Sequence, residues 1–471
     1  MGLIMASSKS IVNNLCEGPV TATLLRFAAP LMLSGLLQAA YNLLDMFFIG
    51  RFVGSAALSG VAIGGQITNL FLMLAMSFSS SGQVLISQCV GIGDREGLRR
   101  SIGTLFTTML IITVVITALS LLFVHQLLTV MNTPPESWGQ ARNFLVICLA
   151  GFIFISGFNM ICAVFQGMGN SRFPMFVMMV SVGINLLLAL LFVIGLKMES
   201  AGAATATVIA QGSAFFFALS YLYRHRDQFG FDFKLASLKI DRLKLTPLLK
   251  LALPRCLQSM MINLSMMFVN SQVNTYGYVA SAISGIGTRL TSFVVIVSNA
   301  MNNAGSNMIG QNFGAGLHGR IKKVVGSSLI INLGYALIPI SLALFAPRQI
   351  ISFFDTDPAV LAMAAEYMHI SIVFYITLAL MGPYIAVVNG TGFASLGLVI
   401  GLLDGVAARI GFSILLAHPL GMGLDGYWLG NGLAGFVTIF ICGIYYYSGR
   451  WKHREVLVKK IKPPESFDDS Y

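Results

Sequence analysis

Apolar stretches of about 20 residues recur along the chain, and shorter polar or basic segments separate them. A helix needs about 20 apolar residues to cross a hydrocarbon layer, whereas the strands of a membrane barrel would alternate in hydrophobicity. The pattern therefore predicts an all-α membrane protein with twelve transmembrane helices, numbered here as spans in chain order. The predicted spans are 26–48, 60–88, 103–124, 141–166, 174–196, 202–223, 249–275, 282–310, 326–346, 361–388, 395–417 and 426–448.

The two halves of this pattern repeat each other at an offset of about 224 residues. Six spans in each half is an even number, so both halves enter the membrane from the same side. Such parallel repeats are related by an axis along the membrane normal, and internal repeats are typical of secondary transporters. We therefore expect two six-helix bundles that superpose by a rotation about this axis. The matched positions are Pro30 and Pro254, Gln88 and Gln311, Gly91 and Gly314, Gly103 and Gly326, and Gly169 and Gly392.

The basic residues concentrate in alternate connections, after spans two, four, six and eight and in the C-terminal tail. Because basic loops stay on the cytoplasmic side, this predicts a multi-pass protein of the cell membrane with both termini cytoplasmic. The predicted divisions are an N-terminal cytoplasmic segment 1–25, an N-lobe 26–223, a cytoplasmic linker 224–248 with solvated charges, a C-lobe 249–448 and a cytoplasmic tail 449–471.

The amino-acid composition excludes several classes of function. Charged residues make up 10% of the chain, against about 25% in a soluble domain. The net charge of +11 comes mostly from the basic connections, so it indicates topology and not a nucleic-acid partner. The cysteines and histidines are scattered, and neither a Walker loop nor a hydrolytic constellation is present. We expect a bilayer protein with no cofactor, no metal site and no enzymatic activity.

Asp45 is the strongest candidate for a functional residue inside the spans. Ionisable residues within spans are costly to keep there and are functional candidates by default. Gln38, Tyr41 and Asn42 share one helical face with Asp45. One carboxyl at this depth can take up and release a proton as its exposure to water changes, which suits ion coupling. The alternative is that Asp45 caps the end of the helix or meets the lipid headgroups.

Further charged groups within the predicted spans include an acid and three arginines. Asp404 and Arg409 lie in span eleven, where a spacing of five residues points them about 140° apart around an α-helix. We therefore expect no clean ion pair between them, and Asp404 is open to a structural or a functional role. Arg255 and Arg289 lie near the ends of their spans, where long cationic side chains snorkel towards the headgroups.

Spans seven and eight carry amides on one helical face. The amides are Asn263, Asn270 and Asn274 on span seven, and Asn299, Asn303, Asn307 and Gln311 on span eight. Two interpretations are open. Such stripes can line a water-filled substrate cleft, or they can hydrogen-bond one helix to another. The candidates for the substrate cleft are Gln38, Asn42, Asn263, Asn270, Asn303 and Asp404.

At this level of detail the chain resembles the multidrug and toxic compound extrusion (MATE) family. The features that carry the resemblance are Tyr41 to Asp45, followed by Phe48-Ile49-Gly50, the Gln88 and Gly91 helix end, and Gly202-Ala203-Ala204 opening span six. The resemblance implies two six-helix lobes that export organic cations and drugs in exchange for protons or sodium ions. The implied partners are a small-molecule substrate and one of these ions.

The resemblance also implies a coupling site in the N-lobe. Tyr41 and Asp45 match its span-one residues, Asn185 matches an asparagine of span five, and Thr207, or alternatively Thr205, matches a threonine of span six. Ala189 stands where a second aspartate is expected. The C-lobe acids of another branch have no counterpart at Ile262-Asn263 or Gly392-Phe393-Ala394. With one carboxylate left, we expect proton coupling more than sodium coupling.

Two alternatives to an exporter follow from the sequence. A flippase for lipids or lipid-linked saccharides would need a basic, water-filled cleft, and the N-lobe spans contain almost no internal lysine or arginine. A channel or a membrane-embedded enzyme would not need the parallel repeat. The interpretation is therefore an ion-coupled exporter of organic cations, drugs or other amphipathic compounds.

Overall fold

A computed structural model describes residues 11–228, 231–234 and 237–457, and within them the chain is helical with no strand. The all-α prediction is therefore confirmed. The ends of the two predicted terminal segments, including the basic positions Lys459, Lys460 and Lys462 of the tail, lie outside the described part. The spans are Val20–Phe52 (one), Ser55–Ile92 (two), Arg95–Leu122 (three), Pro135–Ala150 with Phe152–Gly167 (four), Arg172–Ala189 with Leu190–Gly195 (five), Glu199–Arg224 (six), Arg242–Asn274 (seven), Tyr278–Gly314 (eight), His318–Phe345 (nine), Ala364–Gly390 (ten), Ala394–Ile400 with Gly401–Ala408 and Arg409–Ala417 (eleven) and Leu424–Tyr447 (twelve).

Short helices of the connections complete the described part of the chain: Val124–Val130, Arg226–Gln228, Pro347–Ser352, Pro358–Ala362 and Arg450–His453.

Ten of these helical units are long and apolar enough to cross a membrane, and the two halves of span four make an eleventh. Span four bends by 50° where Gly151 separates its two helices. Span seven has 33 residues and is long enough for the twelfth crossing. Its amides, such as Asn263 and Asn270, lower its apolarity below that of the others. A polar span is tolerated where it faces protein or a water-filled space instead of lipid.

The lobes pack together through helices that the repeat relates to one another. Span one packs against span eight, and span seven packs against span two. A rotation that exchanges the halves converts the first contact into the second, as two parallel repeats require. Gly35 of span one allows a close approach, because a Cβ atom there would lie 2.6 Å from Ile296 of span eight. The predicted pair of repeated bundles is confirmed.

The end of the bundle that carries both terminal segments, called here the basic end, is closed by matched contacts. Gln88 donates to Gly390 O (2.9 Å) and accepts from the Leu457 amide (3.0 Å). Its repeat partner Gln311 accepts from the Leu15 amide at 2.8 Å. Each glutamine therefore binds a terminal segment at the seam between the lobes.

Two glycines permit this seam. A Cβ atom on Gly91 would lie 2.0 Å from Gln311 O, and one on Gly314 would lie 2.4 Å from Gln88 O. The backbones of spans two and eight touch at these points, and any side chain would force them apart.

The linker between the lobes packs more closely than a solvated connection. Phe231 is fully buried, and Ser237 O would lie 2.1 Å from a Cβ atom on Gly103 of span three. Arg99 donates to the Ser237 hydroxyl at 2.9 Å and pairs with Asp232 at 3.6 Å. The charged side chains of the linker are mostly exposed, among them Lys234 and Lys239, while Phe231 and the backbone at Ser237 pack along the basic end of span three.

Two spans contain π-helical turns, in which the backbone bonds residue i to residue i+5. They are Leu190–Gly195 in span five and Gly401–Ala408 in span eleven, which is the repeat partner of span five. Such turns shift the faces of the following residues, and they are frequent at functional sites.

Candidate functional site: polar clusters within the two lobes

The N-lobe brings together three of the predicted residues from three spans. The Tyr41 and Thr207 hydroxyl oxygens lie 2.7 Å apart. The Asn185 amide donates to both, at 3.1 Å to Tyr41 and 3.3 Å to Thr207. Tyr41 and Asn185 are buried. A closed triangle of hydrogen bonds therefore joins spans one, five and six in the interior of the lobe.

Asp45 lies one helical turn beyond Tyr41 and next to this triangle. Its carboxylate interacts with the Tyr41 hydroxyl, and it is close enough to Cys148 of span four to act on it electrostatically. The side chain is half-buried, so it borders both the polar cluster and a more accessible space. Through Tyr41 the carboxyl lies beside the interior of the lobe.

The structure distinguishes between the two threonines proposed for span six. Thr205 donates to Ala201 O of its own helix at 2.7 Å and contacts no member of the cluster. Thr207 is the residue that joins it. Ala189 is buried at the last α-helical position before the π turn, one turn beyond Asn185.

Two acceptors of this region are left without donors. Asn185 Oδ1 and Gln211 Oε1 are buried and lack a hydrogen-bond partner among the described residues. Gln211 follows Thr207 by one helical turn. Buried acceptors usually have partners, so these two are suited to a donor that is present only part of the time. A protonated carboxyl is such a donor, and the same oxygens offer neutral ligands to a cation.

The C-lobe contains a second buried cluster, which sequence reasoning missed. Arg409 donates to Asp404 Oδ1 at 2.9 Å, and the Thr438 hydroxyl donates to Asp404 Oδ2 at 2.6 Å. Arg409 also donates to the Asn431 side chain of span twelve. Both charged side chains are 5–6% exposed. The prediction that Asp404 and Arg409 do not pair is wrong.

The reason is the π turn. Around an α-helix, five residues separate two side chains widely, but Gly401–Ala408 is wound so that residues five apart become neighbours. The acid is thereby paired within its own span and tied to span twelve. Asp404 is therefore part of the packing between spans eleven and twelve, and its two oxygens are both occupied.

The other predicted cleft residues fall into two groups. Gln38 donates to Asn42 at 3.3 Å on span one. Asn263 donates to Ser259 O of its own helix at 2.8 Å, and Asn270 is exposed. These four belong to accessible polar faces and contact neither buried cluster.

Asn303 hydrogen-bonds one helix to another, which is the second of the two roles considered for the amides. It accepts from Gln83 of span two at 2.6 Å and donates to Gln166 of span four at 3.3 Å. Asn307, one turn away, donates to Asn303 Oδ1 at 2.9 Å. These amides bind span eight to the N-lobe. Gln83 and Gln166 were missed, although each is a polar residue in an apolar span.

The arginines predicted to snorkel, Arg255 and Arg289, differ in their surroundings. Arg289 is exposed. Arg255 is half-buried and donates to the Ser80 hydroxyl of span two at 3.2 Å, across the seam between the lobes. Snorkelling does not describe Arg255, because its side chain reaches into the other lobe.

Comparison with known proteins identifies the family to which this fold belongs. The sequence model of the family described as MatE matches residues 30–191 and again residues 254–414. The chain is 28% identical over 450 residues to the "Probable multidrug resistance protein YpnP" of Bacillus subtilis (strain 168), covering 94% of this chain and 98% of that protein.

A second relative is the "Multidrug export protein MepA" of Staphylococcus aureus (strain N315), 24% identical over 395 residues, with 84% of each chain covered. The solved structure titled "Crystal structure of MATE in the bent conformation" matches with a TM-score of 0.86 at 21% identity, covering 94% of this chain and 98% of that one. The two family matches begin at the paired prolines Pro30 and Pro254, so each lobe is one copy of the same unit. The chain belongs to the MatE family of membrane transporters.

Proposed function

We propose that the protein is an ion-coupled antiporter that exports drugs, organic cations or other amphipathic compounds by alternating access. Family membership supports transport, and a relative covering 94% of the chain is named a probable multidrug resistance protein. The observation that carries the proposal is the hydrogen-bonded triangle of Tyr41, Asn185 and Thr207 beside the half-buried carboxylate of Asp45.

The mechanism follows from what these groups can bind. Ionised Asp45 favours a lobe conformation in which water reaches it. Protonated Asp45 is neutral and can donate a hydrogen bond to an acceptor of the cluster that lacks a donor, such as Asn185 Oδ1. Protonation then favours a tighter packing of spans one, five and six. Two protonation states thus select two conformations, as exchange of an ion for cargo requires.

The ligand set favours a proton over a sodium ion. The cluster provides one carboxylate, and its other oxygens belong to Tyr41, Asn185 and Thr207, which are neutral. A bound metal cation prefers several oxygen ligands, and added negative charge raises its affinity. Ala189, at the position where a second aspartate is expected, supplies neither an oxygen ligand nor a negative charge. One carboxyl suffices to carry one proton.

The proposal includes an orientation in the cell membrane. The basic end holds Arg99, Arg100 and Arg320, and both described terminal segments bind there. By the positive-inside rule this end is cytoplasmic. The matched contacts of Gln88 and Gln311 then close the cytoplasmic side in the conformation described here.

The experiment is export from proteoliposomes loaded with ethidium, with an ion gradient imposed across the membrane. An antiporter moves ethidium against its own gradient and stops when the ion gradient collapses. A channel equilibrates ethidium at any gradient, and that outcome would refute the proposal. Asp227→Asn, at a side chain that is 95% exposed, is a matched control for Asp45→Asn.

A further inference from the structure

The guanidinium of Arg255 lies on the seam between the lobes, where it donates one hydrogen bond to a described residue of the other lobe. It carries five N–H donors, and one donates to Ser80 Oγ at 3.2 Å. The Ser80 hydroxyl in turn donates to Ser77 O at 3.2 Å. Among the described residues, no carboxylate forms an ion pair with Arg255. The group is therefore a cation held between two lobes without a counter-charge.

The repeat gives the position of Arg255 along the bundle. It follows Pro254, the repeat partner of Pro30, so Leu31 is its counterpart on span one. Fourteen residues of helix, about 21 Å, separate Leu31 from Asp45. Arg255 therefore lies well towards the basic end and away from the N-lobe cluster. An intramembrane cation normally pairs with an acid, lines a polar cavity or binds a ligand.

The contrast with Arg409 shows what a paired arginine looks like in this molecule. Arg409 has Asp404 at 2.9 Å and an asparagine beside it, and it is 6% exposed on the side chain. Arg255 is half-buried, and its one bond is to a neutral hydroxyl of the other lobe. The first is a cation paired with a carboxylate, and the second has no carboxylate partner among the described residues and can accept an anion.

We propose that Arg255, with Ser80 opposite, is an anion-binding subsite at the seam between the lobes, and that it favours cargo carrying a carboxylate, sulfonate or phosphate group. This inference rests on the proposed export function and adds a preference, among amphipathic cargo, for compounds with an anionic end, with cations such as ethidium remaining cargo. The guanidinium presents a planar fork of donors that matches such groups in a bidentate manner. Because opening of the lobes separates Arg255 from Ser80, the subsite is strongest in one conformation only.

The test uses two dyes that differ at one group. A cationic rhodamine ethyl ester and the zwitterionic rhodamine acid obtained by removing its ethyl group are titrated into the detergent-purified protein, with fluorescence anisotropy as the signal. We expect the acid to bind about 10-fold more tightly than the ester, as hydrogen bonds to a charged group imply. In Arg255→Gln the two dyes should bind equally, through loss of acid binding.

Two further variants test the role of the Arg255 guanidinium in the subsite. Ser80→Ala removes the neutral partner but keeps the cation, so the preference for the acid should persist. Arg255→Lys keeps the charge but loses the fork, so an intermediate preference is expected, and it serves as the test if Arg255→Gln does not fold. Equal binding of the dyes to the unmodified protein, or an unchanged preference in Arg255→Gln, overturns the subsite.

The source of the anion is tested in the same assay. Chloride is replaced by gluconate in one series, and phosphatidylglycerol is added in another. An acid preference that changes little in both series supports cargo. A preference abolished by phosphatidylglycerol, or one that appears only without chloride, assigns the site to a lipid headgroup or to chloride and overturns the cargo assignment. Gradient-driven export of the ester alone would leave the export function standing while the subsite fails.

Discussion

Arg409 donates to Asp404 at 2.9 Å although the two residues are five positions apart on one helix. The π turn of span eleven makes them neighbours, and Thr438 and Asn431 of span twelve complete the cluster. Both charges are almost fully buried, so each depends on the other for its stability in the lobe. The pair holds spans eleven and twelve together.

Removing one partner of this pair should destabilise the protein strongly. Asp404→Asn leaves Arg409 buried without a counter-charge, and breaking such a pair costs about 3–5 kcal/mol. We expect a clearly lower Tm in detergent, measured by loss of the monodisperse peak on heating. Replacing both residues together, as Asp404→Leu with Arg409→Met, should cost less than either change alone, because no charge is left uncompensated.

The exposed pair of Arg226 and Asp227 is the matched control, since its atoms lie 4.0 Å apart at the surface. Asp227→Asn should leave the Tm unchanged. A Tm for Asp404→Asn equal to that of this control would show that the buried pair contributes nothing. Any folded Asp404→Asn protein should still exchange ions for cargo, because the proposed coupling site is in the other lobe.

The two threonines of span six provide a paired test of the N-lobe cluster. Thr207→Val keeps the shape but removes the hydroxyl that bonds Tyr41 and Asn185. We expect a several-fold slower gradient-driven export of ethidium, because a buried asparagine loses an acceptor. Thr205→Val removes a bond to its own helix alone and should export at the normal rate. Equal rates in the two variants would count against the cluster.

The seam at the basic end gives a prediction about conformation. A methyl group at Gly91 would lie 2.0 Å from Gln311 O, so Gly91→Ala should push spans two and eight apart. The Leu15 amide, bonded to Gln311, should then exchange its hydrogen faster in hydrogen-exchange mass spectrometry. Gly326→Ala is the control. Gly326 is on span nine, and the added Cβ atom would have no other atom within 4 Å.

In Gly326→Ala, exchange at Leu15 should be unchanged, and an alanine at an open helical position should stabilise the helix slightly. If Gly91→Ala leaves the exchange of Leu15 unchanged as well, the seam tolerates the methyl group and does not hold the basic end closed.

The fold was largely predictable from the sequence because its signals are long and repeated. Each apolar stretch specifies one helical span, and the matched pairs such as Pro30 and Pro254 indicate that one lobe repeats the other. The cluster of Tyr41, Asn185 and Thr207 followed from the family resemblance, and the structure brings these residues together.

What could not be predicted depends on local departures from a regular helix and on contacts between lobes. The pairing of Asp404 with Arg409 depends on a π turn, which leaves no signature in the spacing of apolar residues. The reach of Arg255 to Ser80 depends on which helices meet at the seam, and the sequence of either lobe alone does not contain this. The charges of the linker are visible in the sequence, but the packing of its backbone against Gly103 is not.

The central claim is that Asp45 couples a proton to export, and one measurement tests it most directly. Proteoliposomes with the unmodified protein, Asp45→Asn or the Asp227→Asn control are given a proton gradient alone or a sodium gradient alone, and uphill movement of ethidium is recorded. The account predicts export driven by the proton gradient, absent in Asp45→Asn and normal in the control, with the variant folded. Robust export driven by sodium with the proton gradient collapsed, or uphill export by Asp45→Asn, would contradict it.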